Sequence, residues 1–282
     1  MKIILFFLLL VSTLSIHGQI FTFQHEWFEN ESFFNDSVIQ EQRIAAIHIW
    51  QSEKKDGRAF QSERDFLHYE FNRSGKLSAS YKSVDLRNKV DTATFLFSYN
   101  QKGQLYKQSE QQGPFHFSYF YFYEGNRLFK EVKINVASSS IDTAYLHYLK
   151  HNSSKNSTRI TTLNALKKPF LYLDKEYDLD HNLIRETKSY HRNRRYQETV
   201  YNYNQEQLTR IEKLINGSKQ KEISIARNGE QIELVSFIEN KNLVKKYAFT
   251  YHLNDLPKAI IERNLVEKKI IIYRLEYLFF RN

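Results

Sequence analysis

The sequence predicts an all-β protein, an antiparallel meander of degenerate β-hairpin repeats. Three observations lead to this fold class. Tyr and Phe are numerous, with 19 and 22 residues, whereas the 282-residue chain contains only 3 Pro. Aromatic side chains suit a pleated, half-buried surface, and proline removes a donor from the ladder of a sheet. Apolar and polar residues alternate over long stretches, and a turn phrase recurs at even spacing.

The first residues of the chain predict an export signal. Lys2 precedes the apolar run 3–11, and small or polar residues follow up to Gly18. A basic start, a short apolar core and a small residue before the cut are typical of a secretory signal, and the run is too short to span a membrane. We predict cleavage after Gly18, with a cut after Ser15 as the alternative. The mature protein is then periplasmic, extracellular or associated with the outer membrane.

The mature chain is cysteine-free and moderately basic. It is long enough to bury a core without disulfides, and it lacks the cysteine that anchors a bacterial lipoprotein. Removing residues 1–18 deletes one Lys and no acidic residue, so the net charge of +9 falls by 1 to +8. Export argues against a nucleic acid as the partner. The charge therefore points to an anionic glycan or an envelope protein.

A phrase that ends each incoming strand recurs along the chain. Its best copy is 97–105, Phe-Ser-Tyr-Asn-Gln-Lys-Gly-Gln-Leu. We call the residue just before the turn the anchor, and the anchors fall at Phe71, Tyr99, Tyr123, Leu149, Tyr177, Tyr203, Arg227, Tyr251 and Tyr277. Successive anchors are 28, 24, 26, 28, 26, 24, 24 and 26 residues apart. Because every step is even, all anchors are predicted to share one face of the sheet.

Each copy is predicted to form one hairpin. Alternation leads into the anchor, as in Phe95, Phe97 and Tyr99. Asn, Asp or Gly then supplies the turn, and Leu or Ile restarts the next strand. Eight to nine repeats with a period of 24–28 residues give about 16–18 strands. Twist accumulates in so long a meander, so we expect a long coiled open sheet or a closed barrel. Residues 61–282 form this repeat domain, and residues 19–60 form an N-terminal capping segment.

The motif aromatic-x-aromatic-Asn/Asp-x-x-Gly-x-Leu resembles the YD-repeat (Rhs-type) family over about residues 66–282. Residues 99–105 match it best, and the Tyr-Asp pair itself occurs once, at Tyr177-Asp178, in a copy without the glycine. In that family such repeats build coiled β-sheet walls, either shells around a toxin domain or surface proteins that contact glycans. The resemblance implies the same architecture and a binding or envelope role. The leader and the Lys/Asn/Phe/Tyr-rich composition resemble those of exported Bacteroidetes proteins.

Motifs for catalysis or cofactor binding are missing from the sequence: it contains no phosphate loop, no serine elbow and no catalytic cysteine. We therefore expect no enzyme activity, no cofactor and no metal. His147 and His151 are four residues apart, which would place them together on a helix, but their region is predicted to be strand and turn. Asp178, Asp180 and His181 fit either a calcium-binding turn or ordinary turn chemistry.

The densest basic cluster provides the one candidate ligand surface, formed by His191, Arg192, Arg194 and Arg195. Its simplest interpretation is a solvated hairpin tip. Three functional hypotheses follow. The first is a non-catalytic exported module that binds a glycan or protein ligand or serves as a structural element. The second is an outer-membrane β-barrel, which charged residues on the otherwise apolar face disfavour. The third is a hydrolase whose paired carboxylates meet only in the fold.

Overall fold

The computed structural model describes residues 34–86, 89–137, 140–154, 156–191 and 195–281. The predicted signal peptide lies outside these ranges. Within them, no helix has both the length and the apolar character needed to cross a membrane.

The described residues form one short helix and eighteen strands. In chain order these are α1 (Asp36–Glu41), β1 (Ile44–Lys55), β2 (Arg64–Phe71), β3 (Leu77–Leu86), β4 (Lys89–Tyr99), β5 (Leu105–Gln112), β6 (Phe115–Glu124), β7 (Arg127–Ala137), β8 (Ser140–Ser153), β9 (Ser157–Leu163), β10 (Pro169–Tyr177), β11 (Leu183–Tyr190), β12 (Tyr196–Asn204), β13 (Gln207–Ile215), β14 (Ser218–Asn228), β15 (Gln231–Glu239), β16 (Asn242–Tyr251), β17 (Pro257–Asn264) and β18 (Lys269–Phe279).

The sheet closes on itself. Each strand pairs antiparallel with the next one in the chain, and β1 also pairs with β18 from Ile44 opposite Phe279 to Lys55 opposite Lys269. The predicted all-β meander of hairpin repeats is confirmed, and of its two forms the structure is the closed barrel. Residues 44–55, within the predicted capping segment, form barrel strand β1. The domain boundary at residue 60 stays a prediction.

Seven hairpins carry the same irregularity at their anchor. In each, the register shifts between the anchor and the residue before it, so that the restarting strand contains one extra residue. Such bulges bend a strand and increase its twist, which favours curvature and closure. The anchors with this shift are Phe71, Tyr99, Tyr123, Tyr177, Tyr203, Arg227 and Tyr251.

Hydroxyl groups of five anchor tyrosines tie their hairpins to the preceding ones. The Tyr99 hydroxyl donates to the carbonyl oxygen of Leu77 at 2.8 Å, and Leu77 restarts the strand after the preceding turn. The same bond recurs from Tyr123 to Leu105 at 2.9 Å, Tyr203 to Leu183 at 3.0 Å, Tyr251 to Ile232 at 2.7 Å and Tyr277 to Pro257 at 2.7 Å.

The β8–β9 hairpin corrects one anchor assignment. Strand β8 continues to Ser153, and its pairing with β9 has no register shift. The Nε2 atom of His151 lies 2.6 Å from the carbonyl oxygen of Leu128, the bond that anchor tyrosines make elsewhere. The anchor of this repeat is therefore His151 and not Leu149. The repeat spacing remains even, because the two positions differ by two residues.

The anchors face the barrel interior, which is filled with side chains along β1, β2 and β12–β18. Inward-facing Ile49, Val235 and Ile260 are 0% exposed. A circular barrel of this many strands would leave an aqueous channel. Because buried side chains fill this part of the interior, it is a packed core instead. At the anchor end, α1 buries Val38 and Ile39 against it.

We expect the two faces of β17 to respond differently to truncation. Ile260→Ala should lower the free energy of unfolding by about 2–5 kcal/mol, because it opens a cavity in the core. Its outward neighbour Ile261 pairs with Ile272 on the outer face, so Ile261→Ala should cost less than about 1 kcal/mol. Urea denaturation of both variants measures the difference. Equal losses would contradict a packed interior.

The anchor hydrogen bond should contribute measurably to stability. We expect Tyr251→Phe to lower the free energy of unfolding by about 1 kcal/mol, because the carbonyl oxygen of Ile232 loses its donor. Tyr190→Phe is the matched control, since Tyr190 is exposed and its hydroxyl makes no hydrogen bond with the described residues. Thermal or urea unfolding of the two variants provides the test, and indistinguishable midpoints would count against the proposed role of the bond.

Candidate functional site

The predicted basic surface is only partly described. His191 and Arg195 are exposed in the connection between β11 and β12, whereas Arg192 and Arg194 lie outside the described residues. The Nδ1 atom of His191 lies 2.9 Å from the Tyr172 hydroxyl. The exposure of His191 and Arg195 is compatible with a solvated tip at these two residues, and the role of the cluster as a ligand surface stays a prediction.

The histidine pair and the acidic turn have local structural roles. His147 faces inward, and burial lowers its pKa. His151 is the anchor described above. Asp178 accepts hydrogen bonds from the backbone N–H groups of Asp180 and Asn182 at 3.0 and 2.8 Å. A hydrogen bond from the Asn182 side chain is the main cause of its lowered pKa. Among the described residues, no cluster of His, Asp or Glu is suited to a metal ion.

A groove of about 670 Å³ lies at the anchor end of β4–β7, between the turns that follow Tyr99 and Tyr123. Its volume is within the range of small-molecule sites. Three aromatic side chains in it are exposed: Tyr106 by 45%, Phe122 by 41% and Phe129 by 38%. We call this feature the aromatic groove.

The barrel architecture does not require aromatic residues at these positions. Tyr106 and Phe129 are the extra residues of the bulges in β5 and β7, and Phe122 directly precedes an anchor on the outer face. Elsewhere the extra bulge residue is mostly polar, and no other residue that precedes an anchor is aromatic. The extra residues of the other bulges are Ser78, Ile184, Thr209, Glu233 and Lys258.

A hydrogen-bond network between the two turns fixes the floor of the aromatic groove. The Gln104 Nε2 atom donates to the carbonyl oxygen of Gly125 at 2.7 Å, and its Oε1 atom accepts from the Asn100 amide at 2.9 Å. Asn100 also accepts from the backbone N–H of Lys102 and of Gln104, at 2.9 and 3.0 Å. Both walls are therefore held in place before any ligand arrives.

Three polar groups in the aromatic groove are available for hydrogen bonds to a ligand. The Tyr106 hydroxyl, the Gln101 amide and the Lys102 ammonium make no hydrogen bond or ion pair with the described residues. The ammonium of Lys130 lies 4.8 Å from the centre of the Phe122 ring and holds that ring in place. The groove thus combines flat apolar surfaces with unsatisfied donors and acceptors at its edge.

Sequence reasoning missed the aromatic groove because the repeat pattern treats aromatic residues as core. A comparison of equivalent positions among the repeats would have found Tyr106, Phe122 and Phe129. The catalytic hypothesis gains no constellation from the described residues, and the expectation of a non-enzyme stays a prediction.

Comparisons with known proteins give only low similarities. No family model and no curated protein matches the sequence. A porin-like protein from Bacteroides uniformis is similar in structure with a TM-score of 0.41 and 9% identity, covering 84% of this chain and 97% of that one. A porin-like protein from Bacteroides vulgatus has a TM-score of 0.34 and 8% identity, covering 83% and 98%. A LolA superfamily protein from Nitrosomonas europaea has a TM-score of 0.26 and 10% identity, covering 88% and 94%. Similarities this low carry no argument about function.

Proposed function

We propose that the protein is a non-catalytic, exported β-barrel that binds a glycan in the aromatic groove. The observation that carries this proposal is the exposure of Tyr106, Phe122 and Phe129 at positions where the other repeats have no aromatic residue. A sugar ring has an apolar face of C–H groups that packs on an aromatic ring. Its hydroxyl groups need donors and acceptors at the edge of that contact.

The edge of the groove supplies such groups. Gln101 provides an amide, Tyr106 a hydroxyl, and Lys102 a positive charge that favours an acidic sugar. Ligand sites of this kind combine mostly apolar walls with a few polar groups that orient the ligand. The fixed turns reduce the entropy that binding would otherwise cost. The YD-repeat resemblance, which remains an expectation, is compatible with this role.

We expect glycan binding to depend on the aromatic side chains. Phe122→Ala and Tyr106→Ala should each weaken binding at least about tenfold, which corresponds to about 1.4 kcal/mol, because each removes a stacking surface. A glycan array identifies the ligand, and isothermal titration calorimetry then compares the variants.

Tyr190→Ala is the matched control, since it removes an exposed aromatic ring far from the groove. It should bind as tightly as the unmodified protein. Equal weakening by all three substitutions would assign the effect to general stability. Failure of the folded protein to bind any neutral or acidic glycan on the array would contradict the proposed function.

An outer-membrane barrel is the second candidate. It is favoured by apolar residues that face outward from β4–β7, where Leu96, Phe120, Val132 and Ile134 occupy outer positions. Further round the barrel the outer face is charged. On β11, Arg185 pairs with carboxylates on both neighbouring strands, Glu176 at 3.5 Å and Glu198 at 3.0 Å.

We expect the purified protein to remain folded and monodisperse without detergent. Outward-facing Arg or Lys side chains cost about 2–4 kcal/mol each at the bilayer midplane, and Arg185 and Arg210 both lie on the outer face. Size-exclusion chromatography with far-ultraviolet circular dichroism, with and without detergent, provides the test. A protein that folds only in detergent would favour the outer-membrane barrel over a barrel that is stable in water.

A further inference from the structure

Along β13–β16, the inward-facing side chains change from apolar to charged. Towards the anchors, inward positions hold apolar side chains such as Ile225 and Val235. Towards the opposite, far end of the same strands, the inward face carries Lys213, Lys221 and Lys245. These charges are only partly desolvated, since the side chain of Lys221 is 48% exposed and that of Lys245 33%, but an unpaired charge at a partly buried position still carries a cost.

Two of these three lysines are paired. Lys221 lies 2.8 Å from Glu239, and Lys245 lies 3.1 Å from the buried Glu262. Lys213 is directly opposite Lys221 in the β13–β14 ladder and makes no ion pair with the described residues. Like charges that face each other across a ladder are destabilising. Three lysines and two carboxylates leave one positive charge uncompensated.

These lysines line a partly enclosed cavity of about 210 Å³. Lys213, Lys221 and Lys245, together with Glu239, form its polar side. Phe237 and Tyr247 contribute aromatic walls, with ring centres 5.4 Å apart in an edge-to-face arrangement. An apolar cavity of about 150 Å³ accepts benzene, so this one has room for a ring and a small charged group. We call it the luminal pocket.

One further carboxylate borders the pocket. Glu222 belongs to the outer face, where its carboxylate lies 2.7 Å from Lys219 and accepts a hydrogen bond from Ser224 at 3.1 Å. The hydrogen bond from Lys219 is the main cause of its lowered pKa. Glu222 is thus neutralised from outside and does not compensate Lys213.

We propose that the luminal pocket binds a compact monocarboxylate with an apolar, ring-sized body. Its carboxylate lies between Lys213 and Lys221 and relieves their repulsion. Its body packs against Phe237 and Tyr247. Charge-assisted hydrogen bonds to ammonium groups are stronger than neutral ones. The site is on the opposite wall from the aromatic groove and is independent of the proposed glycan binding.

Three probes separate the parts of this recognition. Phenylacetate carries both the ring and the carboxylate, benzyl alcohol has the ring without the charge, and inorganic phosphate has the charge without the ring. Isothermal titration of the purified protein should show one phenylacetate site and at least tenfold weaker binding of the other two. Equally tight phosphate binding would overturn the assignment of the ligand class, and absence of phenylacetate binding would overturn the site.

Lys213→Gln should weaken phenylacetate binding at least tenfold. Lys246→Gln is the charge-matched control, because Lys246 faces outward next to Lys245 on the same strand. It should bind phenylacetate like the unmodified protein. Lys213→Met serves as a second variant if Lys213→Gln does not fold. Equal binding by the Lys213 variants and the control would overturn the proposal, whether or not the protein binds glycans.

Discussion

This structure depends on one constraint: every strand of the closed sheet must turn the same face towards the interior. Because β18 pairs with β1, the apolar face must point inward on every strand of the circuit. At the seam, inward Ile49 lies opposite Leu275 on β18 and opposite Leu67 on β2. An insertion of one residue that no bulge absorbs would turn the apolar face of the rest of that strand outward. The even repeat spacing and the recurrent position of the bulge both meet this requirement.

Strand identity could be predicted from the sequence because it is set locally, by alternation and by turn residues. Closure could not, because it depends on contacts between distant segments. The Trp50 indole, for example, donates to Glu276 at 2.9 Å across 226 residues. The misassigned anchor at Leu149 has a similar cause. The repeat selects a side chain that reaches the carbonyl oxygen of the preceding hairpin, and His151 does this across 23 residues. Position just before the expected turn was therefore not a sufficient criterion, because β8 continues to Ser153.

The repeat contains positions whose residue type the architecture fixes and positions whose residue type can vary, and the anchor bond helps to tell them apart. Arg227 replaces the aromatic anchor in one repeat, and its guanidinium donates locally to the carbonyl oxygen of Glu230 at 3.2 Å. Burial lowers its pKa, and its Nε atom is buried without a hydrogen-bond partner. This repeat keeps its bulge even so. The bulge is therefore the more robust feature of the hairpin, and the outward residue within it is free to vary. That freedom makes the aromatic choice at Tyr106 and Phe129 informative.

The two proposed sites occupy different environments of one barrel. The aromatic groove is on the outside of β4–β7 at the anchor end, whereas the luminal pocket is inside β13–β16 towards the far end. From β6 to β15 the ring steps through nine strands, which at about 4.8 Å per strand is roughly 43 Å along the wall. Sites so far apart, with no shared residues, contribute additively to stability and binding. The repeat thus allows one wall to evolve a ligand surface without disturbing the other, because each hairpin contacts mainly its two neighbours.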